Sequence, residues 1–176
     1  MIHALIQNLH HWDQMLCLQI FAFNGRKTTD RIMVFATRLG DGYIYPLIGM
    51  FIIILNPVMI KSLVPAALIA FAIELPGHKL LKQTIRRTRP CHILPQIKNL
   101  VSLPDEFSFP SGHTASAFLM ATVISTFYPA LIIPNFLMAA LIGLSRIYNG
   151  VHYPGDVIVG SLIGIISAKI GLIIVM

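Results

Sequence analysis

Residues 114–144 read TASAFLMATVISTFYPALIIPNFLMAALIGL. Two apolar runs, Thr114–Tyr128 and Leu131–Leu144, are parted by only Pro129 and Ala130. With flanking residues added, each approaches the ~20 residues an apolar helix needs to cross a bilayer. Two crossings return a chain to the face it left. The polar stretches bracketing this pair, Lys79–Pro110 and Ser145–Asp156, are therefore expected on one side of a membrane.

Three more apolar segments extend the pattern: Gly42–Leu55, Val58–Leu75 and Val157–Met176. The first can start as early as Ile32, which would set Arg38 and Asp41 near an interface. Residues Leu5–Phe23 are weaker, interrupted by Asn8, His10, His11, Asp13 and Gln14. They read as a short span or half-span in preference to an interfacial helix. The expected fold is an all-α polytopic membrane protein, a six-helix bundle in one domain over residues 1–176, with only the first helix open to an interfacial position.

Composition agrees. Charged residues make up 11% of the chain, against roughly 25% in soluble domains. Hydrophobic residues make up 56%, and mean hydropathy is +0.76. A soluble fold of this length has no core large enough for so much apolar surface, whereas a bilayer supplies the missing apolar solvent. Net charge is +6, and six of the thirteen Lys and Arg residues fall between Lys79 and Lys98. That basic stretch lacks interleaved aromatics and is flanked by apolar segments, which argues against nucleic acid as a partner. Cys17 and Cys91 show no metal-ligand spacing, and no disulfide is expected between them. The N-terminus has no basic n-region or cleavage pattern, so no removable signal peptide is expected.

Chemistry concentrates in the two polar stretches. Lys82-Gln-Thr-Ile-Arg-Arg-Thr-Arg89-Pro90 holds four cations, Lys82, Arg86, Arg87 and Arg89. Arg forks suit phosphate oxygens, and Lys adds a point charge. The same stretch closes with Phe109-Pro110-Ser111-Gly112-His113-Thr114, directly before an apolar helix. Ser111 suits a helix N-cap, Gly112 allows close approach to the backbone, and free amides at a helix start attract anions. The second stretch runs Ser145-Arg146-Ile-Tyr-Asn-Gly-Val-His152-Tyr-Pro-Gly-Asp156. An Asp in the first turn of the last helix can reach back to His152, fix its tautomer and leave the other ring nitrogen nucleophilic. Taken singly, each motif is as readily a charge run, a capped helix or an incidental His. Their convergence on one membrane face is harder to dismiss.

Together the motifs resemble the three-part signature of the type 2 phosphatidic acid phosphatase superfamily: Lys-x6-Arg-Pro, Pro-Ser-Gly-His and Ser-Arg-x5-His-x3-Asp. All spacings are intact over about 75 residues. The superfamily also holds soluble acid phosphatases and haloperoxidases, which the hydropathy disfavours. The resemblance implies a membrane lipid phosphatase working through a phosphohistidine, without metal or cofactor. It casts His152 as nucleophile, Asp156 as its orienting acid and His113 as acid to the leaving oxygen, then base for water. Lys82, Arg89, Arg146, the Ser111 hydroxyl and the Gly112 amide would hold the phosphoryl oxygens. Fixed donors can supply what Mg²⁺ supplies elsewhere.

Two features stand beside the signature. Glu74, His78 and Lys82, four apart, share one face if their helix runs that far. Arg38 and Asp41 should lie on the active face, as headgroup contacts or as caps and anchors. A short chain offers little to grip a large headgroup, so the first expectation for substrate is a polyprenyl diphosphate such as undecaprenyl diphosphate. Phosphatidylglycerophosphate, phosphatidic acid and lipid A phosphates follow, with lipid-to-lipid phosphotransfer as an alternative reaction. Bacterial family members imply a cytoplasmic (inner) membrane site facing the periplasm or outside.

Overall fold

The computed structural model describes residues 2–103 and 105–176, with side chains from Gln7 onward; Pro104 of the polar stretch lies outside these residues. Among the described residues eight α-helices follow one another: α1 (Ile2–Phe21), α2 (Lys27–Arg38), α3 (Ile44–Leu55), α4 (Leu63–Ile85), α5 (Pro90–Ile93), α6 (Gly112–Phe127), α7 (Ile132–Tyr148) and α8 (Pro154–Val175). The all-α expectation holds. Helical residues 57–85, 129–148 and 154–175 are long and apolar enough to cross a membrane, and α3 is a shorter apolar helix. The chain is an integral membrane protein, and helix length alone accounts for three of the six expected spans.

The bundle is built on α8, which packs against α6 and α4, with α7 on the far side of α6. Small residues allow this. A Cβ at Gly160 would meet the Ser111 carbonyl, and one at Gly164 would overlap the Ala115 carbonyl. Without side chains there, the two backbones come together as small-residue membrane interfaces do. Leu63, Leu119, Val123 and Ala168 fill the core at the other end. Ile158, Leu162, Ile166 and Ile173 point outward on α8, a face suited to lipid.

Three sequence readings change. The apolar helix does not begin at Ile32: the chain turns over residues 39–43, and α2 is a separate helix. Asp30 accepts the Tyr148 hydroxyl at 2.6 Å, and Thr37 accepts Arg146 Nη1 at 2.6 Å. Both ends of α2 thus contact the same end of α7, so α2 lies across the bundle end. The same holds for α1. Asp13 accepts the Gly155 amide at 2.7 Å, and Asn24, just past the helix, donates to the Tyr148 carbonyl at 2.7 Å. Two anchors at one end describe an interfacial helix, not the short span expected. Finally, α4 continues through Lys79 and Lys82 to Ile85, so the polar stretch starts later than the charges suggest. Arg86 then takes φ 49°, a left-handed helix end.

The two polar stretches do lie on one face. The Cys91 amide donates to the Gly150 carbonyl, and the Leu100 amide to the Asn149 carbonyl. Cys17 and Cys91 are both free thiols.

Candidate active site

Three helix ends assemble the site: the end of α4 with the segment after it, the start of α6, and the α7–α8 connection. One polar cavity of about 250 Å³ is lined by Lys82, Arg89, Gly112, His113, Arg146 and His152. Six of the eight candidate residues therefore share one wall. Ser111 and Asp156 sit just behind it, fully buried.

His152 is held between two groups. Its Nε2 lies 3.5 Å from Arg89 Nη1, a donor, which makes Nε2 the unprotonated nitrogen and places the proton on Nδ1. Asp156 Oδ2 lies 3.6 Å from that Nδ1, beyond hydrogen-bond distance, and Nδ1 has no partner among the described residues. The expected His–Asp contact is thus aligned but open. The reason is competition: Asp156 Oδ2 accepts the Tyr153 amide at 2.9 Å, and Oδ1 accepts Arg87 at 2.7 Å. Catalytic hydrogen bonds are often long before substrate binds. Burial holds His152 neutral, down to about 3, and the neighbouring guanidiniums of Arg146 and Arg89 push the same way.

Arg87 does not line this cavity. It bonds Asp13 at 2.6 Å and Asp156 at 2.7 Å, and it stacks on the Tyr153 ring at 3.9 Å. Sequence reasoning pooled it with the phosphate cations and treated Asp13 as an interruption of an apolar run. The chain Asp13–Arg87–Asp156 was invisible because its members lie far apart in sequence. Arg86 is exposed and stays outside the cavity.

Arg89 and Arg146 are both almost completely buried, at 0% and 2% exposure. Arg146 spends Nη1 on Thr37, and its Nε and Nη2 have no partner among the described residues. Arg89 donates to the Val151 carbonyl at 2.9 Å, and its Nη2 meets Asp105 Oδ1 at 2.6 Å. The other Asp105 oxygen accepts Lys82 Nζ at 2.8 Å. Asp105 was seen in the sequence only as one charge of a polar stretch. Its carboxylate bridges two of the three cations that the resemblance assigns to phosphate, Lys82 and Arg89. Burial raises the Asp105 carboxyl, but Lys82 and Arg89 together override this and hold it below the usual carboxylate range.

At the start of α6, Ser111 occupies the N-cap position but makes no side-chain capping bond. Its hydroxyl pairs instead with Thr114 Oγ1 at 2.9 Å. His113 Nε2 donates to Asp41 Oδ1 at 2.9 Å. Asp41 thus reaches the active face as expected, on the turn between α2 and α3, and its partner is a histidine. Arg38 joins it in lining a second polar cavity, about 330 Å³, which also touches His113 and Arg146. Among the described residues no group of three or more His, Cys, Asp or Glu side chains is arranged to hold a metal ion.

On the membrane side, an apolar groove of about 530 Å³ runs between α3 and α4, lined by Tyr45, Met50, Leu68 and Phe71. It shares Gly42, Leu75 and Ser116 with the polar cavity, so the two adjoin.

Comparison with known proteins places this architecture. The family model described as the PAP2 superfamily matches residues 47–176. The crystal structure of LpxE from Aquifex aeolicus superposes with TM-score 0.76 and 35% identity, covering 90% of this chain and 93% of that one. A decaprenylphosphoryl-5-phosphoribose phosphatase of Mycobacterium tuberculosis is 40% identical over 99 residues, 54% of this chain and 50% of the relative. An undecaprenyl-diphosphatase of Sulfolobus acidocaldarius is 27% identical over 83% of this chain and 70% of the relative. The chain spans about half the length of several curated relatives it matches.

Proposed function

Because the chain belongs to the PAP2 superfamily, we propose that it is a metal-independent lipid phosphatase, acting from one membrane-embedded domain over residues 1–176. The observation that carries this reading is the pair of adjoining cavities. One presents two buried Arg, a Lys and three His side chains, and the other is an apolar groove between membrane helices. A phosphorylated head on an apolar tail is the ligand class that complements both.

In this mechanism the phosphate displaces the Asp105 carboxylate from Lys82 and Arg89 and takes the free donors of Arg146. The Gly112 amide, at a helix N-terminus, adds to the charge neutralisation. His152 Nε2 attacks phosphorus and forms the P–N bond as the P–O bond to the leaving group breaks. His113 gives that oxygen its proton. The imidazole cation formed on His152 draws Asp156 in to close the open 3.6 Å contact. Water then attacks phosphorus, His113 takes its proton, and inorganic phosphate leaves with His152 restored.

The substrate favoured is a polyprenyl diphosphate, supported by the named activity of the archaeal relative. Phosphatidylglycerophosphate, phosphatidic acid and lipid A phosphates are the other candidates, and transfer to a second lipid is the alternative reaction. We place the protein in a bacterial cytoplasmic (inner) membrane with its site facing the periplasm or outside.

The deciding experiment is a panel of lipid phosphates assayed in detergent with excess chelator. Phosphate release from at least one is expected. Activity lost in EDTA and restored by Mg²⁺ would remove the metal-free mechanism, and phosphate passed only to added lipid would make the protein a transferase.

A further inference from the structure

Glu74 is 1% exposed, and neither of its oxygens has a partner among the described residues. Buried polar groups are nearly always paired, so such a group asks for an explanation. Glu74 lines the polar cavity, while the next residue, Leu75, lines both cavity and groove. It therefore stands where the two meet. Going up the same face of α4, His78 and then Lys82 line the cavity as well. Lys82 marks the level of the phosphoryl group. Glu74 lies eight residues away, about 12 Å along a helix rising 1.5 Å per residue. The long Lys82 side chain leans back toward the helix start, so it and the phosphate it binds take up most of that rise. The atoms next to the scissile bond then come level with His78 and Glu74 in the same cavity. Across the junction, the Tyr45 hydroxyl on the groove wall is likewise buried and unpartnered among the described residues. A tail attached directly to the scissile phosphate would lay bare methylenes against a carboxyl group. Oxygen-rich atoms at this level would pair with it, because a carboxyl accepts through either oxygen and donates when protonated.

We propose that the Glu74–His78 edge of the cavity is a leaving-group subsite, selecting substrates whose leaving group carries hydrogen-bonding oxygens beside the scissile bond. Those oxygens belong to the inner phosphate of a diphosphate or to the hydroxyls of a glycerol or sugar head. The inference rests on the phosphatase reading and narrows it: a bare prenyl monophosphate is the poor substrate. Glu74 is then a specificity residue that leaves an unsatisfied group in the empty protein.

The test compares prenyl monophosphate, prenyl diphosphate and phosphatidylglycerophosphate with the full chain in detergent. Wild type should prefer one of the latter two over the monophosphate by at least about tenfold in kcat/KM, since a site built to hydrogen-bond rejects an analogue lacking the partner. Glu74→Leu should erase that preference by slowing the favoured substrate, leave the monophosphate within about twofold, and match or exceed wild type in Tm. Glu74→Gln, which keeps hydrogen bonding, should retain the preference. Whether the diphosphate or the glycerophosphate loses rate in the Leu variant identifies the source of the oxygens. Equal turnover of the monophosphate by wild type overturns the inference without any variant. So does a Leu variant that slows all three substrates equally. No phosphate release from these three or from phosphatidic acid and lipid A would instead remove the phosphatase reading beneath it.

Discussion

His113 Nε2 lies 2.9 Å from Asp41 Oδ1, so each of the two candidate catalytic histidines has its own carboxylate, Asp41 for His113 and Asp156 for His152. The two pairs differ. The first is a closed hydrogen bond on a partly exposed turn, and the second is buried and open. With Nε2–H held by Asp41, a proton for the leaving group can come from Nδ1 only when His113 is the doubly protonated imidazolium, the form that the Asp41 carboxylate stabilises. Asp41→Asn should therefore slow hydrolysis of an alkyl phosphate by about tenfold, a fraction of the 10²–10⁴ typical of general acid catalysis. An aryl phosphate, whose leaving group departs without a proton, should be hydrolysed nearly as fast as by wild type. Steady-state kinetics on the two substrates check this, and an equal loss on both would mean Asp41 only props the turn.

Asp105 competes with the phosphate. Its carboxylate holds Lys82 at 2.8 Å and Arg89 at 2.6 Å, and it is 39% exposed. Asp105→Asn removes the charge and keeps the shape. Inhibition by vanadate or inorganic phosphate should tighten by about two- to fivefold, the scale of partly exposed ion pairs. Unchanged or weaker inhibition would show that Asp105 does not stand in the anion's place.

Arg89→Lys and Arg146→Lys should each lower kcat by ~10² or more, the usual cost of losing one fixed donor to the transition-state charge. A Lys keeps the charge but loses the fork. At Arg89 it also cannot span Val151 and Asp105 at once. Near wild-type turnover in both variants would make these residues structural ions.

His152 links pH to stability. Its folded value lies at about 3, below the ordinary 6.5, because burial disfavours the charged form. The stability it contributes is thus fully present above pH 6.5 and is lost as pH falls from 6.5 towards 3, since only the unfolded chain takes up the proton there. Thermal unfolding in detergent between pH 7 and pH 4 should show a steeper loss in wild type than in His152→Gln, which has no proton to take up. Identical slopes would count against a neutral His152.

The two histidines should also fail differently. His152→Ala should abolish the covalent step with every substrate. His113→Ala should still form phosphoenzyme from a labelled aryl phosphate, and it should accumulate because water activation is impaired. Rapid quench with an acid-labile, base-stable phosphohistidine assay reads both. Label trapped only in the His152 variant would reverse the two roles.

Hydropathy and spacing alone locate the apolar helices, their return to one face and most of the side chains that line the candidate site. Hydropathy over 114–144 and the spacing of Lys82, Arg89, His113, Arg146, His152 and Asp156 are local properties. Periodicity and span length read such properties directly. Which charges meet emerges only from the folded arrangement of the helices. Arg87 and Arg89 are two residues apart, yet one braces Asp156 and Asp13 while the other faces the phosphate cavity. Asp41, Asp105 and Asp13 each pair with a cation or histidine more than fifteen positions away. α1 and α2 lie across the bundle end because their polar side chains bond Gly155, Arg146 and Tyr148, not because their own hydropathy places them there. An ion pair depends on distance in space and on burial. Neither follows from spacing along the chain once several helices and a long connection intervene.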